Sequence, residues 1–184
     1  STSDTVTRTT NSVSPSEYRT ERKSAPRTGI SPMPGTREAW EEAYDMTEIR
    51  GGDTFETGPF SVATSLMPHT ETSVGYRISA GGRTLAYTGD TGPTERFWER
   101  AAARGVKYLI TETSFPNRLE KFALTTGHLT PSLLEGEIAK MSRPPEKIFI
   151  MHLKPQFLQE IETEIQALGH DNIEFLKDGE VILA

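Results

Sequence analysis

Side chains of the types that bind metal ions follow several predicted strands of this chain. His69, Asp90, Glu112 and His152 each stand where an apolar segment ends. Side chains at strand ends along one edge of a sheet can converge although they are far apart in sequence, and ligands of α/β sheets commonly bind there. Imidazole and carboxylate groups together suit a Zn²⁺, Mn²⁺ or Fe site with an open coordination position.

Two sequence contexts bear on what such a site could bind. His128 lies just before a predicted helix start, where outward-facing backbone N–H groups favour an anion. Asp90 lies between Gly89 and Gly92, which permit a tight turn and a close approach of the backbone to an ion or phosphate. The alternative remains open that these are structural residues, a hydrogen-bonded loop histidine and a turn-forming aspartate. For His170, in a turn after a predicted helix, the structural interpretation is preferred.

The elements that must position these residues follow from hydrophobic periodicity and turn residues. Strands are predicted over residues 60–66, 74–80, 84–88, 108–112, 147–151, 173–176 and 181–183. Helices are predicted over residues 37–44, 94–104, 130–141 and 156–168. Because antiparallel strands come first and strands then alternate with helices, the sequence predicts a layered α/β domain.

Composition narrows the functional classes and sets a domain boundary. Residues 1–34 contain seven Ser, seven Thr and four Pro, so we expect a disordered tail or linker there and a partial domain over residues 35–184. The formal net charge of −6 opposes a DNA-binding or membrane-docking role. The chain has no cysteine, which excludes thiolate chemistry, and no apolar segment long enough to span a bilayer, so a cytoplasmic location is expected.

Five motifs in this order carry a family resemblance. They are Pro68-His-Thr-Glu-Thr-Ser-Val-Gly-Tyr-Arg-Ile78, Tyr87-Thr-Gly-Asp-Thr91, Glu112-Thr-Ser-Phe-Pro116, Gly127-His-Leu-Thr-Pro131 and Met151-His-Leu-Lys-Pro155. The chain thereby resembles the C-terminal half of the metallo-β-lactamase fold. Within that fold it is similar to ribonuclease Z and, more closely, to the class II cyclic-nucleotide phosphodiesterases. The resemblance implies part of an αββα sandwich, with a mixed sheet and helices on its outer face.

The resemblance also implies a dinuclear site that holds two divalent metal ions, Zn²⁺ or Mn²⁺. His69 matches a ligand of one metal, Asp90 matches the carboxylate that bridges both, and His152 matches the last ligand of the second metal. Two metals can supply a hydroxide nucleophile and neutralise phosphoryl oxygens, which is what phosphodiester hydrolysis at neutral pH requires.

Two further residues match catalytic positions of that family, and two others are candidates for substrate contact. His128 matches the histidine near the scissile phosphate, which stabilises charge or protonates the leaving oxygen. Glu112 matches a carboxylate that orients this histidine. Lys154 and Thr130 are candidates for phosphate contact. The implied substrate is a small-molecule cyclic nucleotide.

One departure from the family pattern bears on activity. The H-x-H-x-D-H motif, which supplies the principal ligands in the family, occurs nowhere in this sequence. Three interpretations therefore stay open: a metal-dependent cyclic-nucleotide phosphodiesterase, a tRNA 3′-end processing endonuclease, or a non-catalytic half-domain. The third would need a complementary N-terminal half or a second copy of the chain, because half a sandwich exposes apolar surface.

Overall fold

A computed structural model describes residues 7–9, 47–102 and 105–183 of the chain. The chain divides into two compact units, Ser1–Ile49 with Asp178–Ala184, and Arg50–Lys177. The described strands are β1 (Thr7–Thr9), β2 (Thr54–Thr57), β3 (Phe60–Leu66), β4 (Val74–Ala80), β5 (Arg83–Tyr87), β6 (Tyr108–Glu112), β7 (Lys147–Met151), β8 (Ile173–Phe175) and β9 (Val181–Leu183).

The described α-helices are α1 (Arg96–Ala102), α2 (Glu120–Thr126), α3 (Pro131–Ala139) and α4 (Leu158–Ala167). Single 3₁₀ turns over Asn117–Leu119 and Pro155–Phe157 precede α2 and α4. None of the helices in the described ranges combines the length and the hydropathy that a bilayer crossing requires.

A seven-stranded mixed sheet forms the centre of the unit Arg50–Lys177. Its strand order is β2-β3-β4-β5-β6-β7-β8. The pairs from β2 to β5 are antiparallel, and those from β5 to β8 are parallel. Gly81 and Gly82 join β4 to β5 with φ angles of 55° and 78°, the left-handed conformation that a tight hairpin turn requires. The expected α/β fold with a mixed sheet is confirmed.

Helices cover one face of this sheet because alternate residues of the central strands are apolar and point to them. The buried cluster is formed by Ala86, Leu109, Ile148 and Ile150 of the sheet together with Phe97, Trp98, Leu134, Ile138, Ile161 and Ile165 of the helices. The helix predicted over residues 156–168 buries Ile161 and Ile165, as its periodicity indicates, while Phe157 and Leu168 pack at the edge of the cluster. This packing holds the carboxyl ends of β5, β6 and β7 at one edge of the sheet.

Two elements of this unit are missing from the sequence prediction. Strand β2 is exposed over most of its length and lacks an apolar alternation. Helix α2 buries only Ala123, so its sequence shows no apolar face with helical period. Both elements form because neighbouring parts of the fold support them, and neither could be recognised from a local pattern.

Some predictions concern residues outside the described ranges. These are the helix over residues 37–44, the end of the helix over 94–104, and most of the segment 1–34. Within that last segment the structure describes only Thr7–Thr9, which pairs antiparallel with Val181–Leu183 in the unit that contains both.

Candidate functional site

His69, Asp90 and His152 come together beyond the strand ends. Asp90 follows β5, His152 follows β7, and His69 lies in the loop between β3 and β4. His152 Nδ1 lies 3.0 Å from Asp90 Oδ1, and His69 Nε2 lies 3.9 Å from Asp90 Oδ2. The three side chains are 22, 34 and 40% exposed for His69, Asp90 and His152. The carboxylate thus stands between two imidazoles in a position that small molecules can reach.

Glu112 and His128 form a buried pair beside this group. Glu112, the last residue of β6, is completely buried and lies with Oε1 2.7 Å from His128 Nδ1. The same oxygen accepts the backbone N–H of Thr91 at 3.0 Å, and Oε2 accepts the hydroxyl of Ser114 at 2.7 Å. A carboxylate that receives three hydrogen bonds has its oxygens held in place.

The pair determines how His128 presents its ring. Nδ1–H of His128 donates to Glu112. The other ring nitrogen, Nε2, therefore does not contact Glu112. The His128 ring centroid lies 4.7 Å from that of His69 and 5.6 Å from that of His152. Two sets of candidate ligand atoms, one in His69, Asp90 and His128 and one in Glu112, His128 and His152, each lie within 4.8 Å of one another.

The orientation of His69 fits a metal ligand. Its Nδ1 donates to the backbone carbonyl of Gly127 at 3.1 Å. In the neutral ring Nε2 then carries a lone pair, and this atom faces a carboxylate oxygen of Asp90, which also carries lone pairs. A cation satisfies two such facing acceptors. A backbone carbonyl that holds the second nitrogen is the usual support of a metal-binding histidine, so the donor set fits a divalent ion of the Zn²⁺ or Mn²⁺ type.

The backbone around the cluster is tightly constrained. Gly127 has a φ of 67°, and a Cβ at this position would come within 2.7 Å of Pro68 O and 2.8 Å of His69 Cα. Gly92 N–H donates to the same Pro68 carbonyl at 2.9 Å. His152 itself has a φ of 57° and is the one described non-glycine residue with positive φ. Strained backbone of this kind concentrates at functional sites.

Ser114 is a site residue that the sequence reasoning did not single out. It is completely buried, and its hydroxyl, which donates to Glu112, lies 3.1 Å from His152 Nδ1. It thereby links the buried pair to the group around Asp90. Its sequence signal was weak: a small polar residue two positions after a carboxylate at a strand end.

The remaining candidates take different places. Thr130 is completely buried and caps α3, where its side chain accepts the backbone N–H of Leu133 at 3.3 Å. Lys154 Nζ lies 5.0 Å from the centroid of the Phe115 ring, close to the cluster, since Phe115 contacts His128 at 5.5 Å. His170 follows the end of α4, pairs with Glu135 in the middle of α3 and takes no part in the cluster.

Tyr87 adds a polar group at the end of β5, three residues before Asp90. Burial, the nearby Asp90 charge and Tyr76, in that order, raise the pKa of the Tyr87 hydroxyl. Tyr87 therefore stays protonated at neutral pH and remains a hydrogen-bond donor.

Comparisons with known proteins identify the family and the fold. The family model described as the β-lactamase superfamily domain matches residues 21–152, more than half of the chain. That range contains His69, Asp90, Glu112, His128 and His152. No curated protein sequence matches the chain.

Solved structures share the fold at low sequence identity. YhfI from Bacillus subtilis, a metallo-β-lactamase fold protein, is 17% identical, with a TM-score of 0.63 over 74% of this chain and 55% of its own. Yeast PDE1 is 14% identical, with a TM-score of 0.58 over 74% of this chain and 49% of its own. The short form of human tRNase Z is 15% identical, with a TM-score of 0.52 over 71% of this chain and 45% of its own.

The similar structures differ from this chain in length, and some of them contain metal ions. The chain spans about half the length of each of the three. Other similar structures include a zinc-bound protein and a diiron β-hydroxylase, so proteins of this fold hold metal ions. Because the family model matches more than half of the chain, we conclude that the chain belongs to the family described as the β-lactamase superfamily domain.

Proposed function

We propose that this chain carries part of the active site of a metal-dependent phosphodiester hydrolase whose substrate is a 3′,5′-cyclic nucleotide. The observation that carries the proposal is the buried Glu112–His128 pair set against His69, Asp90 and His152. Phosphodiester hydrolysis needs side chains that can bind metal ions and an imidazole held in one orientation, and this cluster contains both.

Each residue has a separate task in this proposal. His69, Asp90 and His152 would hold divalent metal, which when bound neutralises phosphate charge and activates water. His128 directs Nε2 toward a phosphate oxygen, where it stabilises negative charge or passes a proton to the leaving oxygen. Glu112 holds the His128 ring and fixes the nitrogen that carries the proton.

Charge favours a small substrate over RNA. A phosphodiesterase for a cyclic nucleotide meets a single phosphate, whereas a tRNA endonuclease meets a polyanion and needs a basic surface. The formal net charge of the chain is −6. The structural comparisons do not separate the two substrates, because yeast PDE1 and human tRNase Z have similar identities of 14 and 15%.

The absent H-x-H-x-D-H motif motivates a second part of the proposal. Three residues, His69, Asp90 and His152, are the metal ligands in this proposal. A site that holds two metal ions requires more ligands than these. We propose that the missing donors come from a complementary chain segment or from a second copy of this chain.

Metal content and turnover of the purified chain test the proposal. After dialysis against Zn²⁺ or Mn²⁺, bound metal is counted by plasma mass spectrometry and hydrolysis of 3′,5′-cyclic AMP is followed. We expect metal retention, and its loss in Asp90→Asn and His152→Ala. We expect His128→Ala to retain metal while hydrolysis falls at least about 100-fold. His170→Ala, which changes a histidine outside the cluster, is the matched control.

Other outcomes favour the alternatives. Cleavage of precursor tRNA without hydrolysis of cyclic AMP would replace the cyclic nucleotide by RNA as the substrate. Absence of both metal and turnover, together with concentration-dependent association in sedimentation, would identify a half-domain that functions only when complemented. A variant Asp90→Asn with full metal content would place the metal elsewhere and remove the basis of the proposal.

A further inference from the structure

Helix α2 presents two large apolar side chains to solvent immediately before the candidate site. Phe122 is 54% exposed and Leu124 is 47% exposed. The helix buries only Ala123 and ends at Gly127, which leads directly into His128. Phe122 therefore contributes little to the core, and its exposure is not explained by packing within the described residues.

A series of ring contacts joins Phe122 to His128. The Phe122 ring meets Phe115 edge-on, with centroids 5.1 Å apart and an interplanar angle of 86°. Phe115 in turn contacts the His128 ring at 5.5 Å and the Phe157 ring at 6.1 Å. Phe115 is only 7% exposed, so it is a fixed support for Phe122, whose side chain remains 54% exposed beside it.

Positive charge accompanies this aromatic group. Lys154 Nζ lies 5.0 Å from the Phe115 centroid, and Arg118 lies 5.5 Å from the Phe157 centroid. Arg118 is held by Glu160 through hydrogen bonds of 2.8 and 3.1 Å. Lys154 is therefore the cation better placed to meet an anionic ligand between the aromatic group and His128.

We infer that Phe122, supported by Phe115, forms a stacking subsite for the base of a nucleotide whose phosphate lies at His128. The inference rests on the proposed function for the position of the phosphate. A ribose separates phosphate and base, so a phosphate at His128 leaves the base outside the cluster, and Phe122 is linked to His128 by ring contacts of only 5.5 and 5.1 Å through Phe115. Stacking on an aromatic side chain tolerates any base because every base has a π-face.

Binding without turnover tests the inference. Adenosine 5′-monophosphate and ribose 5-phosphate differ in the base alone, and both are titrated calorimetrically in Mn²⁺. We expect the base to tighten binding to the unchanged chain about tenfold, and Phe122→Ala to abolish that difference. Phe122→Trp should preserve it. Phe60→Ala is the matched control, because Phe60 is 44% exposed and lies at the start of β3.

The outcomes separate this inference from the proposed function. Equal affinities of the two ligands, binding of neither, or an unchanged preference in Phe122→Ala would overturn the subsite, while hydrolysis of cyclic AMP is judged by its own assay. A preference that depends on Phe122 in a chain without turnover would support the subsite and oppose the hydrolase proposal. Triadenylate binding far tighter than the mononucleotide would assign the base to an RNA strand.

Discussion

Oε1 of Glu112 and Nδ1 of His128 are 2.7 Å apart, and the two side chains are 0 and 9% exposed. The hydrogen bond between them is shielded from water and is supported by Thr91 and Ser114 on the carboxylate side. A ring flip of His128 would leave Glu112 short of a donor in a buried position. The pair therefore presents one defined face of the imidazole to the metal-ligand group.

Glu112→Met tests this pair directly. The three groups that meet the carboxylate, His128 Nδ1–H, Thr91 N–H and the Ser114 hydroxyl, all donate to it, and a methionine of similar size offers them no oxygen acceptor. We expect the free energy of unfolding to fall by about 1–3 kcal/mol and the His128 ring to lose its fixed tautomer. Thermal unfolding and imidazole ¹⁵N NMR measure these effects. Glu99→Met, at an exposed position of α1, should change neither, and an unaltered His128 spectrum in Glu112→Met would contradict the assignment.

Gly127→Ala tests the close approach of the backbone to His69. The added methyl group would meet Pro68 O and His69 Cα at less than 3 Å, besides occupying a φ of 67°. Gly169→Ala is the matched control, since φ is 74° and nothing lies within 4 Å of its Cβ. We expect Gly169→Ala to lower the free energy of unfolding by about 1 kcal/mol. Gly127→Ala should lower it further and should also weaken metal binding. Denaturant unfolding and metal titration compare the two variants. Equal losses of stability would contradict the prediction and would mean that the loop around Gly127 relaxes without penalty.

His152→Gly and His152→Ala together test backbone strain. Both remove the imidazole, but glycine accepts the φ of 57° at no steric cost. We expect the glycine variant to be the more stable by about 0.5–1 kcal/mol. At Leu158, where φ is −49°, the order should reverse, with alanine the more stable. Chemical denaturation of the four variants provides the comparison, and an alanine advantage at both positions would show that residue 152 is unstrained.

Lys140 leads to a prediction of pH dependence. Burial lowers the pKa of Lys140, but its hydrogen bonds to Glu137 and Glu95, and their charges, outweigh burial and raise it. The folded state then holds this proton more tightly than the unfolded state does. The stabilisation is complete below the ordinary pKa of 10.5 and is lost as pH rises through the folded value.

Unfolding of Lys140→Met between about pH 8 and about pH 12 measures this contribution. We expect the stability difference between the unchanged chain and Lys140→Met to shrink as pH rises. Lys121→Met, at an exposed position of α2, should follow the unchanged chain throughout. A difference that stays constant with pH would mean that Lys140 stabilises through its aliphatic stem alone.

Much of the fold was predictable because local patterns carry it. The apolar segments at β6 and β7 and the Thr130-Pro131 start of α3 are recognisable in the sequence, and in the structure Thr130 caps that helix. Strand β2 and helix α2 were missed since neither buries an apolar face. Helix α2 matters for the site because it ends at Gly127 and carries Phe122.

The sequence by itself determined which side-chain types stand at the strand ends, among them His69, Asp90 and Glu112, and that the H-x-H-x-D-H motif is absent. The family resemblance implied that Glu112 orients His128, and the tertiary structure shows the hydrogen bond between them. Only the tertiary structure decided that Ser114 links Glu112 to His152 and which nitrogen of His69 and of His128 is held by a hydrogen bond. Those outcomes depend on contacts between residues that are distant in sequence, and such contacts form only when parallel strands bring their carboxyl ends to one edge of the sheet.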